Sequence, residues 1–447
     1  MGTIGAVPDL FFDLFMRRLR EKRGVLAPVP VDDLSPLIKY DMWTRVDKVE
    51  PLDLSAVAVD GGIQVAGLSD GREFVVARAI AISSSGQAPI RDIDLDAVPP
   101  GSGAGMSMMA RLEMAVAKRS LESPPDYVLM DGSLYVKVMS LLRVLAMDGG
   151  QSGPAEVRAA AGALAALIDF LEAGRDSRVT SLFVSKDSHL KIIKEYLLFR
   201  RLQELLAGHI DGADLGLLSK GAELYSIAWS RKWRHQLMEL MKRSGEWGRD
   251  ARLLLEKAID QYLGDSLLLD SMARRAGVAR GVSRPMLIGA VDIRLKEEGL
   301  MDVDSLARAM ERRARDAGLR IDAASLVLGL PRIVMFHVKA RETDLPLLVE
   351  VPIHERRFLG NELPGKMFYE YDWRRDAGFL LSQYVNPLNY NRLLMLAHHY
   401  ATFTARQFQE YLLVIRRDAG LGSSRRGVIG LGLPNGEVES EGSRRIE

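Results

Sequence analysis

SAVAVDGGIQVAGL, residues Ser55 to Leu68, is the stretch on which the fold turns. It is followed by Ser69, Asp70, Gly71 and Arg72 and then by a second β-rich run, EFVVARAIAI. Asp-Gly between two such runs marks a hairpin, because the turn needs a positive φ that glycine supplies. Asp60 therefore lies inside the first strand of a meander. Gly61 and Gly62 weaken that strand, and glycines so placed mark a bulge or a close approach to the backbone.

The pattern returns at DYVLMDGSL, Asp126 to Leu134, where an apolar run delivers Asp131 onto Gly132 and Ser133. Two such strands can set two carboxylates side by side. Between them, Ser83 to Gly105 reads as an irregular loop and Met106 to Ser120 as a helix. On that helix Met106, Met109, Val116 and Ala117 share a face with Glu113, while Arg111, Lys118 and Arg119 fall opposite. A carboxylate centred on an apolar face must be protonated, hydrogen-bonded, paired or bound to a metal, since burying it bare costs several kcal/mol.

After Asp131 come an apolar helix, Leu134 to Ala146, and an alanine-rich one, Ala155 to Ala173. SLFVSK, Ser181 to Lys186, is a short buried-type strand, with Asp187 and Ser188 as the expected cap of a helix reaching Leu206. This order predicts parallel strands after an antiparallel meander: an α/β fold with a mixed sheet and helices on its faces. Strands resume at IVMFHVKA and LPLLVEVPI, Ile333 to Ala340 and Leu345 to Ile353, and Pro387 to Leu413 reads as the last helix. The organisation expected is an N-terminal helical and linker segment (1–50), a core in two parts (51–222 and 326–418), a helical insertion (223–325) and a disordered tail (419–447).

Composition narrows the function classes. The chain has 447 residues, 47% hydrophobic and 27% charged, enough for one large core and a further module. It contains no cysteine, which excludes disulfides, thiolate metal sites and cysteine nucleophiles. No apolar run approaches the roughly 18 residues of a membrane helix, and the N-terminal LFFDLFM carries Asp13 and lacks a small-residue cleavage site, so no membrane association and a cytoplasmic location are expected. A net charge of +1 gives no global pull on nucleic acid, so DNA contact has to come from local patches. Arg17 to Arg23, Arg231 to Arg234 and Arg274 to Arg280 are such patches. In the second, Trp229 and Trp233 stand four apart beside Arg231 and Arg234, a spacing that suits stacking of single-stranded bases and suits packing on a core better.

Asp60, Glu113 and Asp131 are all expected to point inward. Three hard oxygen donors favour Mn²⁺ or Mg²⁺ over Zn²⁺ and can hold two ions about 3.5–4 Å apart, the arrangement that clamps an in-line phosphoryl displacement. Lys186 can steady a phosphate. His398 can add a ligand or act as general acid, or can be a satisfied core histidine.

These residues also carry a resemblance. VAVDGG (Val57 to Gly62), the helix with Glu113, YVLMDGSL (Tyr127 to Leu134), FVSKDS (Phe183 to Ser188), FHVKA, LLVEVP and the pair Ala397-His398 resemble the archaeal NurA nuclease family over roughly Leu52 to Leu413. The resemblance implies an RNase H-like core and a Mn²⁺-dependent deoxyribonuclease that cuts single-stranded DNA and resects duplex ends 5′ to 3′ in double-strand-break repair. It also implies a homodimer docked on a hexameric HerA-type translocase, and hence a nucleoid-associated protein. Asp60, Glu113 and Asp131 match the family's acidic metal ligands, His398 its C-terminal histidine, and Lys186 a further family position. Gly61 and Gly62 stand where the family commonly has Gly-Ser, and beside Asp60 they are expected to leave room for a DNA phosphate. Two other readings compete: an actin- or sugar-kinase-like ATPase, which needs a second equivalent domain, and a non-catalytic adaptor of a DNA motor.

Overall fold

The computed structural model describes residues 11–23, 34, 36–49, 52–147, 152–186, 188–225, 230–289, 292–353, 366–418 and 423–429. The chain divides into two units, Met1–Asp33 and Leu34–Glu447. In the first, Phe12–Glu21 is a helix with no buried side chain.

In the second, the strands are β1 (Trp43–Arg45), β2 (Ala56–Leu68), β3 (Glu73–Ser83), β4 (Ile90–Val98), β5 (Tyr127–Asp131), β6 (Thr180–Ser185), β7 (Gly281–Ser283), β8 (Met286–Ile288), β9 (Arg332–Lys339), β10 (Leu347–Ile353), β11 (Met367–Phe368) and β12 (Ser423–Ile429). All belong to one twelve-stranded sheet whose main order is β1-β7-β9-β10-β6-β5-β2-β3-β4. β2, β5 and β6 run parallel, while β3 is antiparallel to both β2 and β4. The run β4-β3-β2-β5-β6 is the strand order of an RNase H-like core, as expected. Among the described residues there is no second sheet, and so no second domain of the kind an actin-like ATPase requires.

Side-chain alternation along the strands divides the core in two. Val57, Val59, Val128, Met130 and Phe183 face one side and pack with the helices Ala104–Ser120, Leu134–Ala146, Pro154–Asp176 and Ile192–Leu206. Ala56, Ala58, Tyr127, Leu129, Leu182 and Val184 face the other, against the helices Arg374–Ser382 and Arg392–Ala401. Strands covered on both faces read as continuous apolar runs, which is why β2, β5 and β6 were recognisable.

Several elements differ from expectation. IRDIDLDAV, expected as loop, is β4, paired with β3 along its length. Its alternation is inverted: Asp92 and Asp94 pair with Arg119 and Arg111 of the neighbouring helix, while Ile93 and Leu95 are exposed. Met106 is also exposed. The helix after β6 starts at Ile192, and the backbone N–H groups of Ile193 and Lys194 donate to the distant Asp265, which takes the capping role expected of Ser188; Asp187, the other expected cap, lies outside the described residues. Among its described residues the 223–325 stretch carries the expected helices and, beyond expectation, two short strands, β7 and β8, both paired with β9. The last helix is two, Arg392–Ala401 and Ala405–Asp418, because Thr404 and Gln407 form a reciprocal capping box. Within the tail expected to be disordered, Ser423–Ile429 is a strand on β2; the rest of it lies outside the described residues.

Candidate metal centre

β2 carries Asp60 through the middle of the sheet, where it is 6% exposed. The pairing with β3 continues through Gly61 and Gly62 without a bulge. What approaches the backbone is the protein itself. A Cβ on Gly61 would stand 2.7 Å from Glu113 Oε1 and 2.6 Å from Met109 Cγ, and one on Gly62, on the opposite face, would overlap the Ala401 carbonyl. The two glycines thus admit a helix on each side of the strand. They do not open the room for a DNA phosphate that was expected of them, because those helices fill it.

Asp131 ends β5 beside Asp60. The chain turns at Gly132, with φ +86°, and enters the next helix at Ser133, whose hydroxyl accepts the Val136 N–H. Glu350 of β10 supports that helix start from below: it accepts the Ser133 hydroxyl at 3.1 Å and the Leu134 N–H at 2.5 Å. Burial pushes the Glu350 carboxyl up to about 7, against the pull of those hydrogen bonds. The Tyr390 hydroxyl donates to Asp131 Oδ1 at 2.9 Å.

Tyr390 leads into the helix that bears His398. Asn391 caps its first turn by accepting the N–H groups of Leu393 and Leu394. At the other end Arg78 of β3 donates to the carbonyls of Ala401 and Thr402, at 2.8 and 2.6 Å, which secures the last turn. Held at both ends, the helix places His398 Nδ1 2.8 Å from Asp60 Oδ2. That hydrogen bond raises the His398 pKa, outweighing partial burial, and the charges of Asp60 and Asp131 add to it. His399 is exposed and faces Tyr400.

Asp60, Asp131 and His398 each offer a ligand atom, and these atoms lie within 4.8 Å of one another. Glu113 lies beside them and outside that group, approaching through the gap at Gly61 from the opposite face of β2. It is 2% exposed and accepts Lys137 Nζ at 2.7 Å. Burial raises the Glu113 carboxyl, and Asp60 adds to the effect. Burial works against the Lys137 ammonium, yet Glu113, Asp60 and Asp131 together raise its pKa. Burial also raises Asp131, with the Asp60 charge next. Proton affinity is raised at Glu113, Asp131, Lys137 and His398, where carboxylates crowd a low-dielectric space, and a cation relieves that crowding.

Lys186 follows β6 directly, with Nζ 5.9 Å from the centre of the Tyr390 ring and its charge felt at His398. Of the residues expected to meet nucleic acid, Arg231, Trp233 and Arg234 are on the helix Arg231–Arg243. Trp229 is outside the described residues. Arg231 and Arg234 are exposed on the helix Arg231–Arg243, whereas Trp233 is 8% exposed, part of the core, with Lys220 Nζ 4.6 Å from its ring centre. A base would have to displace that packing to stack on it, so the core reading describes Trp233.

Lys137, Tyr390, Glu350 and Arg78 were not singled out from the sequence. Lys137 had a signal: six residues after Asp131, it stands in the first turns of a largely apolar helix. Tyr390 and Arg78 had none, since each acts across more than 250 residues.

The donor set fits a divalent ion of the Mn²⁺ or Mg²⁺ type. Two carboxylates supply hard oxygens, and the imidazole favours manganese of the two. A family model of the NurA domain matches residues 54–401, which include Asp60, Glu113, Asp131, Lys186 and His398. The crystal structure of the NurA nuclease from Sulfolobus solfataricus aligns over 93% of this chain and 98% of its own, with 14% identity and a TM-score of 0.46. A NurA bound to dAMP and manganese aligns over 91% and 96%, with 13% identity and a TM-score of 0.37. A NurA with manganese aligns over 92% and 98%, with 13% identity and a TM-score of 0.35. No curated protein matches the chain. With its family model spanning most of the 447 residues, this chain belongs to the NurA family.

Proposed function

We propose that the protein is a metal-dependent deoxyribonuclease that hydrolyses phosphodiester bonds at the Asp60, Asp131 and His398 cluster. The observation that carries this reading is the convergence of those three donors within 4.8 Å of one another. A bound Mn²⁺ or Mg²⁺ would supply Lewis acidity toward the phosphate and a more acidic water. Asp60 and Asp131 would hold the ion, and His398 would either complete the donor set or give a proton to the leaving oxygen; its position against Asp60 suits both roles. Lys186, at the rim, neutralises the phosphate's charge, and Tyr390 orients Asp131. A second ion, as a two-metal mechanism requires, would draw on Glu113 and so compete with Lys137 for it.

The finer reading comes from family membership. Single-stranded DNA is the substrate, duplex ends are resected 5′ to 3′ in double-strand-break repair, and a homodimer works with a hexameric HerA-type translocase. Arg231 and Arg234, exposed on their helix, are proposed contacts to DNA. No helix among the described residues is long and apolar enough to cross a membrane.

The deciding experiment is degradation of a labelled oligonucleotide with Mn²⁺. Asp60→Ala and Asp131→Ala should each abolish it in protein that stays folded. Cleavage that survives both changes, or persists in EDTA, would sink the reading and favour the non-catalytic adaptor.

A further inference from the structure

The metal centre occupies one corner of a longer sheet edge. Asp131 ends β5 and Lys186 follows β6. Ser185 pairs with Leu348 of β10, Leu347 with Val338 of β9, Val338 with Val282 of β7, and Gly281 with Arg45 of β1. Followed across the sheet, this register lifts Arg341, Arg280 and Arg45 to the same edge as Asp131 and Lys186. Three segments far apart in sequence therefore bring three arginines to one place.

There they line a cavity of about 420 Å³, together with Asp47 and Glu342. Each guanidinium is anchored to a backbone carbonyl: Arg45 donates to Ala276, Arg280 to Ala340 and Arg341 to Val385. Such anchoring orients the fork, spends few of its five donors and neutralises none of its charge. Among the described residues the structure pairs none of the three with a carboxylate. Arg274, by contrast, pairs with the buried Asp270. The cavity is also tied to the metal centre, because the loop whose Val385 carbonyl holds Arg341 ends at Tyr390, the residue on Asp131.

We infer that this cavity is a phosphate-backbone site holding the DNA strand that runs away from the metal centre, an inference that rests on the nuclease reading for the position of the scissile phosphate. With ~4.8 Å between strands, Arg341 stands roughly 14 Å and Arg45 roughly 24 Å along the edge from Asp131. At ~3.4 Å per stacked nucleotide this places the arginines roughly four to seven nucleotides from the bond cut. Oriented guanidiniums suit phosphate oxygens, and a backbone site demands no particular base.

The test is fluorescence anisotropy with labelled oligothymidylates of 20 and 3 nucleotides, in EDTA so that no chemistry intervenes. The triple change Arg45→Gln, Arg280→Gln, Arg341→Gln should weaken the 20-mer about tenfold and reduce the salt slope by about 2, at ~0.7 per phosphate contact. Binding of the 3-mer, and its Mn²⁺-dependent cleavage rate, should stay unchanged because it is too short to reach the cavity. Glu342→Arg, a change at an exposed position, should tighten the 20-mer severalfold, and it serves as the second variant if the triple change unfolds the protein. Unaltered affinity and salt slope for the 20-mer in either folded variant would overturn the inference, as would equal losses for both lengths. Absence of cleavage with every oligonucleotide would sink the nuclease reading alone, since the binding readout needs no catalysis.

Discussion

His398 and Asp60 meet at 2.8 Å, Nδ1 to Oδ2, across 338 residues of chain. This contact joins the C-terminal part of the sequence to the first long strand, and it is titratable. Asp60 raises the His398 pKa above its ordinary value near 6.5. A raised histidine contributes stability that is fully present below about 6.5 and is lost as pH rises through the folded-state value. In metal-free protein, the advantage of wild type over His398→Gln in melting temperature should therefore shrink from acid toward mildly alkaline pH. Differential scanning fluorimetry across that range checks it, and a constant difference would count against the contact.

The two adjacent histidines should separate cleanly. His398→Ala should lower Mn²⁺-dependent cleavage by roughly 10²-fold or more, the usual scale of a lost proton donor or ligand. His399 is exposed beside Tyr400, and His399→Ala should stay near wild type. The reverse ranking in steady-state rates would move the active histidine by one residue.

Metal should stabilise the fold as well as drive the reaction. An ion bound by the native state alone adds about 2.7 kcal/mol at 100 times its Kd, and removal with EDTA should reverse the gain. Asp131→Asn should lose most of the melting shift caused by Mn²⁺ while keeping its metal-free melting point close to wild type. An undiminished shift would place the ion elsewhere.

Lys137 and Glu113 should behave as a coupled pair. Lys137→Met leaves a carboxylate that is 2% exposed without its partner, which costs about 3–5 kcal/mol. Glu113→Gln in the same chain should recover much of that loss, because the charge and its desolvation penalty disappear together. Urea denaturation of the four members of the cycle measures the coupling, and additive losses would refute it.

Gly62→Ala should destabilise the protein by about 1–3 kcal/mol, as overpacking does. Its Cβ would overlap the Ala401 carbonyl, a backbone atom that Arg78 also holds, so the helix bearing His398 must move. A lower melting temperature together with weakened cleavage is expected. Wild-type values for both would mean that the helix is not seated against β2 as described.

The elements that were legible in the sequence are those whose signal is local. β2, β5 and β6 are apolar runs ended by turn chemistry, and Asp60 and Asp131 are carboxylates interrupting such runs. Glu113 was legible for the same reason, as a charge at the centre of an apolar helix face. β4 was not, because Ile93 and Leu95 face outward and Asp92 and Asp94 are satisfied by arginines of a helix that only the fold brings near.

By itself, then, the sequence determined the α/β class, the meander followed by parallel strands, and the identity of three inward carboxylates, since each follows from periodicity or from the cost of burying charge. Only the tertiary structure decided which groups meet. Sheet order sets Asp60 beside Asp131, and the close packing at Gly61 and Gly62 draws in Glu113 from one face and the His398 helix from the other. Lys137, Tyr390 and Arg78 then complete the site through hydrogen bonds. Such contacts depend on distance in space, which residue spacing along the chain does not encode.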